Sequence, residues 1–133
     1  MLTRILSGCR APTRAAYDFK VISPRWEHPV SPLFVDVKTT RGAHEATVHL
    51  TMSEIRWAAG HVEYRIARVS SLTENSAEIH VLGDVTTVCQ ELLESLSRLP
   101  NGVSVDSIEI EPSLFADVLT DEVEWQSEGT DEG

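Results

Sequence analysis

Three residues in the first third of the chain have the types and spacing of a phosphodiester-cleaving site. Asp36 and Lys38 lie in LFVDVKTT (33–40), a segment rich in β-branched and aromatic residues that is predicted to be a strand. Because side chains alternate along a strand, the Asp36 carboxylate and the Lys38 ammonium should project from the same face. Asp18, in the predicted strand 15–23, offers a second carboxylate from a neighbouring strand.

Two carboxylates and one ammonium can divide the work of hydrolysing a phosphodiester. Asp18, Asp36 and the backbone carbonyl of Val37 would supply oxygen ligands to Mg²⁺ or Mn²⁺, which keeps its other positions for water and phosphate. The ion would polarise the phosphate, and Lys38 would offset the negative charge that develops. The competing interpretation is a solvated strand face that carries an ordinary ion pair.

Residues near this motif could also bind phosphate or shape the site. Lys20, Thr40 and Arg41 are candidate phosphate contacts, although Thr40 and Arg41 fit a simple turn equally well. Glu54 follows Thr51 by three residues, which is the spacing of a capping box at a helix start. We therefore expect Glu54 to cap a helix rather than to bind metal.

The sequence around these positions resembles one nuclease family. An Asp followed by (D/E)-x-K on the next strand is the signature of the PD-(D/E)xK nuclease superfamily. The stretch YDFKVIS … LFVDVKTTRG … VHLTMSEIRWA … VEYRIARV resembles the NO VEIN C-terminal domain, which is related to Mrr-type restriction nucleases. The matching residues are Tyr17, Asp18, Ser23, Val35, Asp36, Val37, Lys38, Thr39, Thr40, Gly42, Thr51, Glu54, Tyr64, Ile66, Arg68 and Val69.

The resemblance implies an α/β (α+β) domain with a restriction-endonuclease-like mixed sheet flanked by helices. It implies a cytoplasmic, Mg²⁺-dependent DNA endonuclease of restriction or defence type, with DNA as partner. The family usually has Glu where this chain has Asp36, and it begins with a helix for which few residues precede Asp18. That N-terminal core helix is expected to be short or missing, and a helicase or another subunit could supply it.

Two other functions stay open at this level. The first is a catalytically inactive nuclease-fold module for protein interaction or DNA docking, which the acidic second half of the chain favours. The second treats residues 62–111 as a β-β-α-β regulatory unit that binds a small ligand.

The remaining pattern predicts the element order β-β-β-α-β-β-α-β. After 33–40, the predicted elements are a returning strand (46–51), a helix from Thr51 to Gly60, an antiparallel pair (62–71 and 76–83), a helix (85–99), a strand (102–111) and a helical turn after Pro112. A proline-rich loop is expected at 24–32.

Charge is distributed unevenly along the 133 residues, whose net charge is −10. Residues 1–70 carry ten Lys/Arg against six Asp/Glu, whereas residues 71–133 carry one against fifteen. This asymmetry favours a first half that faces an anion and a second half that repels one. We expect a nuclease-like domain at 1–112 and an acidic tail at 113–133.

Other features limit the class of protein. No run approaches the roughly 20 apolar residues that span a bilayer, so no membrane partner is expected. The two cysteines form neither a metal-type pair nor a disulfide framework, as in cytoplasmic proteins. The first 17 residues contain three Arg and no acidic residue, which fits a short helix or a mitochondrial transit peptide, and the helix is favoured.

Histidines and tryptophans give no motif of their own. The five histidines lack the sequence spacing of a zinc site, and His49 and His80, on predicted strands, are expected to be structural. The three tryptophans are too scattered for a base-stacking platform, and Trp57 is expected to pack in the core.

Overall fold

The computed structural model describes residues 8–10, 16–22, 32–44 and 46–126. They form a mixed α/β fold with two helices, a six-stranded sheet and a two-stranded sheet. The elements are β1 (Gly8–Arg10), β2 (Phe19–Val21), β3 (Leu33–Thr39), β4 (Val48–Thr51), α1 (Met52–Ala59), β5 (Tyr64–Ser70), β6 (Ser76–Gly83), α2 (Val85–Leu96), β7 (Ser107–Ile110) and β8 (Ala116–Glu124).

The large sheet is mixed and has the strand order β1-β2-β3-β5-β6-β8. β3 and β5 run parallel, and every other neighbouring pair in this sheet is antiparallel. A parallel pair requires a crossover, and here the crossover contains β4 and α1. The crossover therefore carries α1 across the face of the strand that holds Asp36 and Lys38.

Both helices contribute to the core on one face of the large sheet, which we call the helix face. Its hydrophobic cluster joins α1, α2, β5 and β6 through buried side chains, among them Ile55, Cys89, Tyr64, Ile66 and Leu82. Alternation along the strands sends Val35, Ala67 and Ile79 to the opposite face, where they are also buried. The sheet is thus buried on both faces, which explains the near-continuous apolar runs of β5 and β6.

α1 begins where the sequence predicts it. The Thr51 hydroxyl accepts a hydrogen bond from the Glu54 amide at 3.1 Å, and the Glu54 carboxylate accepts one from the Thr51 amide at 2.9 Å. This reciprocal pair is a complete capping box, and Gly60 ends the helix. The antiparallel pair β5–β6 is also confirmed, and α2 ends three residues earlier than predicted.

The predicted returning strand does not pair with β3. β4 instead pairs antiparallel with β7, with Val48 opposite Ile110. The neighbouring position beside β3 is filled by β5, so β4 is left to form its own two-stranded sheet with a distant segment. The predicted strand 102–111 is correspondingly shorter, because only Ser107–Ile110 is paired.

The predicted acidic tail is wrong for its first half. After a 3₁₀ turn at Pro112–Leu114, which agrees with the predicted helical turn, β8 pairs with β6 at the edge of the large sheet. Phe115 and Val123 are buried, while most acidic side chains of β8 remain exposed. The strand is stabilised by backbone pairing and a few apolar contacts, so the boundary at 112 divides one folded unit.

At the N-terminus, residues 8–10 form a strand paired with β2 rather than a helix. The remaining residues of the predicted N-terminal helix, and most of the predicted loop 24–32, lie outside the described residues. No helix in the described part of the chain is long and apolar enough to cross a membrane.

Candidate functional site

Asp36 and Lys38 lie on the helix face of β3, as the strand period predicts. Lys38 Nζ is 2.9 Å from Asp36 Oδ2, and the Asp36 side chain is only 6% exposed. Asp36 Oδ2 is fully buried, and among the described residues it has no well-aligned hydrogen bond beyond its close contact with the Lys38 ammonium. This oxygen therefore keeps capacity for a further ligand.

Asp18 is held against β3 by two hydrogen bonds. Its amide donates to the Val35 carbonyl at 2.9 Å, and its Oδ2 accepts from the Val37 amide at 2.8 Å. The β2–β3 ladder pairs Phe19 with Val35, and Asp18 lies just before it, where its side chain interacts with that of Asp36. The two carboxylates predicted from the sequence are thus brought together.

The segment that carries Asp18 is also hydrogen-bonded to β5. The hydroxyl of the buried Tyr64 donates a hydrogen bond to the Ala16 carbonyl at 2.8 Å. Burial is the main cause that raises the pKa of Tyr64, and the carboxylates of Asp36 and Glu54 add to it. Tyr64 therefore remains a neutral donor that positions the start of β2.

Glu54 adds a third carboxyl, and we call Asp18, Asp36, Lys38 and Glu54 the carboxylate cluster. Glu54 was not among the predicted site residues. Its two carboxylate oxygens accept from Lys38 Nζ at 3.0 and 2.9 Å, while the Oε1 atom also accepts from the Thr51 amide. The predicted capping role is confirmed, but the same carboxylate faces the ammonium. No local sequence pattern predicts this contact, because it depends on how the crossover brings α1 to β3.

The electrostatics of the cluster follow from burial. Desolvation raises the pKa of Asp36 to about 8; Lys38 opposes this rise, and the carboxylates of Glu54 and Asp18 reinforce it. Desolvation acts to lower the pKa of Lys38, but its contacts with Asp36 and Glu54 outweigh that effect and raise it. Lys38 thus remains an ammonium, and Asp36 takes up a proton more readily than an ordinary exposed aspartate does.

Two carboxylates, from Asp36 and Glu54, contact a single ammonium, and the Asp18 carboxyl neighbours Asp36, so the fully ionised group has an excess of negative charge. Carboxylate oxygens are the ligands that Mg²⁺ and Mn²⁺ prefer, and Mg²⁺ commonly uses one or two carboxylates with water in its other positions. The neighbouring carboxyls of Asp18 and Asp36 have the chemistry to hold such an ion, because Asp36 Oδ2 is buried without a well-aligned hydrogen bond from any described residue.

The predicted phosphate contacts lie in a turn or on the exposed surface. Thr40 Oγ1 accepts a hydrogen bond from the Gly42 amide at 3.1 Å, which favours its turn role. Arg41 is exposed just beyond β3, and Lys20 is exposed opposite Phe34, on the helix-face side of β2. The Val37 amide is bonded to Asp18, and the structure assigns no contact to the Val37 carbonyl that bears on metal binding.

Part of the positive charge of residues 1–70 is carried by side chains that are buried or paired within the protein. Arg68 is 3% exposed, and its Nη2 donates to the carbonyls of Ala46 and Thr47 at 2.8 and 3.1 Å. Lys38 is committed to carboxylates. The surface that can meet an anion is therefore less basic than the sequence count suggests.

An aromatic group lies beside the carboxylates. The Phe34 ring is 4.7 Å from Tyr17 and 4.8 Å from Trp57, and Trp57 stacks on His61 at 3.5 Å. All four are partly buried, and Phe34, Tyr17 and Trp57 pack against the main hydrophobic cluster. The packing role predicted for Trp57 is confirmed.

A second group of metal-ligand types, His44, His80 and Asp117, lies elsewhere on the sheet, with one potential ligand atom from each residue within 4.8 Å of the others. No sequence motif predicts this group, because the three residues come from distant segments. Asp18, Asp36 and Glu54 do not form so tight a trio.

Comparison of the chain with protein-family models, with curated proteins and with solved structures finds no match.

Proposed function

We propose that this chain is a nuclease-type domain that binds Mg²⁺ or Mn²⁺ and hydrolyses phosphodiester bonds in DNA. The observation that carries the proposal is the contact of the Lys38 ammonium with the carboxylates of Asp36 and Glu54, with the Asp18 carboxyl as a neighbour of Asp36. Their source on two adjacent strands and one crossover helix agrees with the PD-(D/E)xK resemblance. The cytoplasm is the compartment that we propose for this activity.

Each side chain has a role in this proposal. Asp18 and Asp36, with the Val37 carbonyl, would hold the cation, which when bound supplies positive charge to polarise a phosphate. Lys38 would turn part of its hydrogen-bonding capacity toward a phosphate oxygen and stabilise the charge that develops there. Glu54 keeps Lys38 protonated and directed at the site.

Nicking of supercoiled plasmid tests the activity. The purified chain should nick DNA with Mg²⁺ or Mn²⁺ and be inactive in EDTA. Asp36→Asn and Lys38→Met should each lower the rate by about 100-fold or more, as is typical when one electrostatic contact to a reacting group is lost. Glu94→Gln removes an exposed carboxylate on α2 and should leave the rate unchanged. Equal rates in wild type and both site variants would refute the proposal.

Glu54→Gln separates the two contacts of Glu54. Glutamine can replace glutamate in a capping box, so α1 should keep its start, while the negative charge beside Lys38 is lost. We expect an unchanged far-UV circular dichroism spectrum and a reduced nicking rate. Full activity in this variant would restrict Glu54 to its capping role.

The same contacts favour one alternative, a catalytically inactive nuclease-fold module. Lys38 Nζ already contacts both Asp36 and Glu54, and Asp18 already accepts from the Val37 amide, so the cluster could serve as an internal support. An increase in melting temperature with Mg²⁺ that is lost in Asp36→Asn supports cation binding. A melting temperature that does not respond to Mg²⁺ or Mn²⁺ favours the inactive module.

A further inference from the structure

We infer that His44, His80 and Asp117 form a site for a transition-metal cation such as Zn²⁺, separate from the carboxylate cluster. One nitrogen from each histidine and one oxygen from Asp117 lie within 4.8 Å of one another. His80 is on β6, Asp117 is on β8, and His44 is in the turn that follows β3. Three separate segments of the chain thus converge on one point, and this inference does not depend on the proposed nuclease activity.

The contacts of His80 resemble those of a histidine that binds metal. His80 Nδ1 lies 2.9 Å from Asp117 Oδ2, and its Nε2 lies 3.4 Å from Glu78 Oε1. Adjacent ligands of a tetrahedral Zn²⁺ are about 3.4 Å apart at ordinary bond lengths, so a small opening of the His80–Asp117 contact would admit the ion. Glu78 would then accept from the other ring nitrogen, as carboxylates do behind metal-bound histidines.

The turn that carries His44 is anchored to β5. Arg68 donates to the carbonyls of Ala46 and Thr47, and the Ser71 amide donates to the Gly42 carbonyl at 2.8 Å. These bonds hold the turn over β6, so little chain ordering remains when an ion binds. His44 also lines a cavity of about 400 Å³ together with Glu111, Pro112 and Ser113.

Ring geometry sets one requirement for binding. The His44 and His80 rings stack with centroids 3.7 Å apart and planes inclined by 16°. Because a nitrogen lone pair lies in the ring plane, two nearly parallel rings do not point at one ion. His44, which is partly exposed, must therefore rotate out of the stack when the metal binds, while His80 and Asp117 move apart only slightly.

The two clusters are distinct. Lys38 is opposite Arg68, and Arg68 is opposite His80, so two strand spacings, about 10 Å, separate Lys38 from His80 along one row. The metals of a shared two-metal site lie only about 3.5–4 Å apart. Imidazole ligands also select Zn²⁺ over Mg²⁺, so the sites differ in the ion they take.

Zinc titration of the full chain tests the inference. The EDTA-stripped protein is titrated with Zn²⁺ by calorimetry, and Co²⁺ is used to report tetrahedral coordination by its visible absorption. We expect one tightly bound Zn²⁺ and a higher melting temperature, because an ion that binds only the folded state stabilises it. His44→Gln and Asp117→Asn should each weaken this binding by at least about tenfold.

Two controls define the site. His49→Gln alters an exposed histidine that also contacts a carboxylate, Glu109, at 2.8 Å, and should leave zinc binding unchanged. Asp36→Asn should also leave it unchanged, which separates this site from the carboxylate cluster. Absence of zinc binding in the wild type would overturn the inference, as would equal affinity in wild type, His44→Gln and Asp117→Asn. In either case the cluster is a hydrogen-bonding network alone.

Discussion

At the scale of single residues, Asp36 has the most constrained environment in the described part of the chain. It is buried, its side chain interacts with that of Asp18, and it shares one ammonium with Glu54. Folding therefore forces a carboxylate into a place where its ionised form is costly. Such an arrangement lowers stability, and we interpret it as a requirement of function rather than of folding.

The pH dependence of stability should report this cost. Burial raises the pKa of Asp36 to about 8, whereas an unfolded aspartate titrates near 4. Between these values the folded protein holds one more proton, so the contribution of Asp36 to stability falls as pH rises, by at most about 1.4 kcal/mol per pH unit. Relative to wild type, Asp36→Asn should be more stable at pH 9 than at pH 5.

Urea denaturation in EDTA at these two pH values measures the difference. Asp121→Asn changes an exposed aspartate on β8 and serves as the control. Its difference from wild type in the free energy of unfolding should be the same at both pH values. If the difference in the free energy of unfolding between Asp36→Asn and wild type is also the same at both pH values, Asp36 is ionised throughout and the burial argument fails.

Sequence reasoning reached part of the site at this scale. The side-chain period of a strand was sufficient to place Asp36 and Lys38 on one face, and the next strand brought Asp18 beside them. Glu54 was identified only as a cap, because a capping box is a local pattern and its distance to Lys38 is not. The contact of His44 with His80 likewise depends on the register of β5 and β6 and on a turn that no local pattern fixes.

At the scale of elements, α1 links the local and distant parts of the site. Its capping box fixes where the helix begins, and the Met52 amide donates to the Asp106 carbonyl at 2.8 Å, which fixes where the helix lies. Ile55 and Ala58 then bury one side of the helix in the main cluster. Glu54 is positioned as a result of these three constraints.

Removal of the cap should weaken this positioning. Thr51→Ala removes the acceptor for the Glu54 amide and should cost about 0.5–2 kcal/mol in the free energy of unfolding. Thr51→Ser retains a hydroxyl and should cost much less. Urea denaturation compares the two variants. A Thr51→Ala variant as stable as Thr51→Ser would show that packing alone determines the start of α1.

The acidic composition of β8 predicted a tail and gave no indication of a strand. Its acidic residues resemble those of a disordered tail, but its edge position lets them face solvent while Val123 packs against the sheet. Val123→Ala should therefore destabilise the fold by about 1–3 kcal/mol, because it removes buried methyl groups.

Val118 offers a matched comparison on the same strand. It is 40% exposed, so Val118→Ala should change stability by less than about 0.5 kcal/mol. Thermal melts of both variants measure the difference. Equally small changes in stability for Val123→Ala and Val118→Ala would indicate that β8 is only loosely attached to the sheet.

At the scale of the whole molecule, the fold brings an acidic edge and a weakly basic surface into one small domain. β8 forms one edge of the large sheet and presents Asp121, Glu122 and Glu124 to solvent. Arg68 and Lys38 are internal, so exposed cations such as Lys20 and Arg41 would have to supply attraction for DNA. The net charge of −10 opposes that attraction at long range.

Neutralisation of this edge should strengthen DNA binding without removing the strand. The variant Asp121→Asn/Glu122→Gln/Glu124→Gln should bind DNA more tightly than wild type, and the gain should be larger at low salt, where charges interact over longer distances. Fluorescence anisotropy at low and high salt measures both effects. The variant Lys20→Gln should change affinity in the opposite direction. Binding that is independent of salt and of these substitutions would favour the protein-interaction module.

The sequence predicted the fold class and most elements, but not their arrangement. Local patterns located β3, α1, the β5–β6 pair and α2, because each has its own periodicity or cap. The pairing of β4 with β7 joins residues about 60 positions apart, and the pairing of β6 with β8 joins residues about 40 positions apart. Such pairings are decided by which partners the whole chain makes available.

The β4–β7 pair also has a consequence for the order in which the protein can be completed during synthesis. Asp18, Asp36, Lys38 and Glu54 are all synthesised before the strand Ser107–Ile110, which pairs with β4 directly before α1. A nascent chain that ends near residue 82 contains all four residues and lacks this strand. The site can therefore be complete only after residues 107–110 have been synthesised and have folded, which would delay any activity until then.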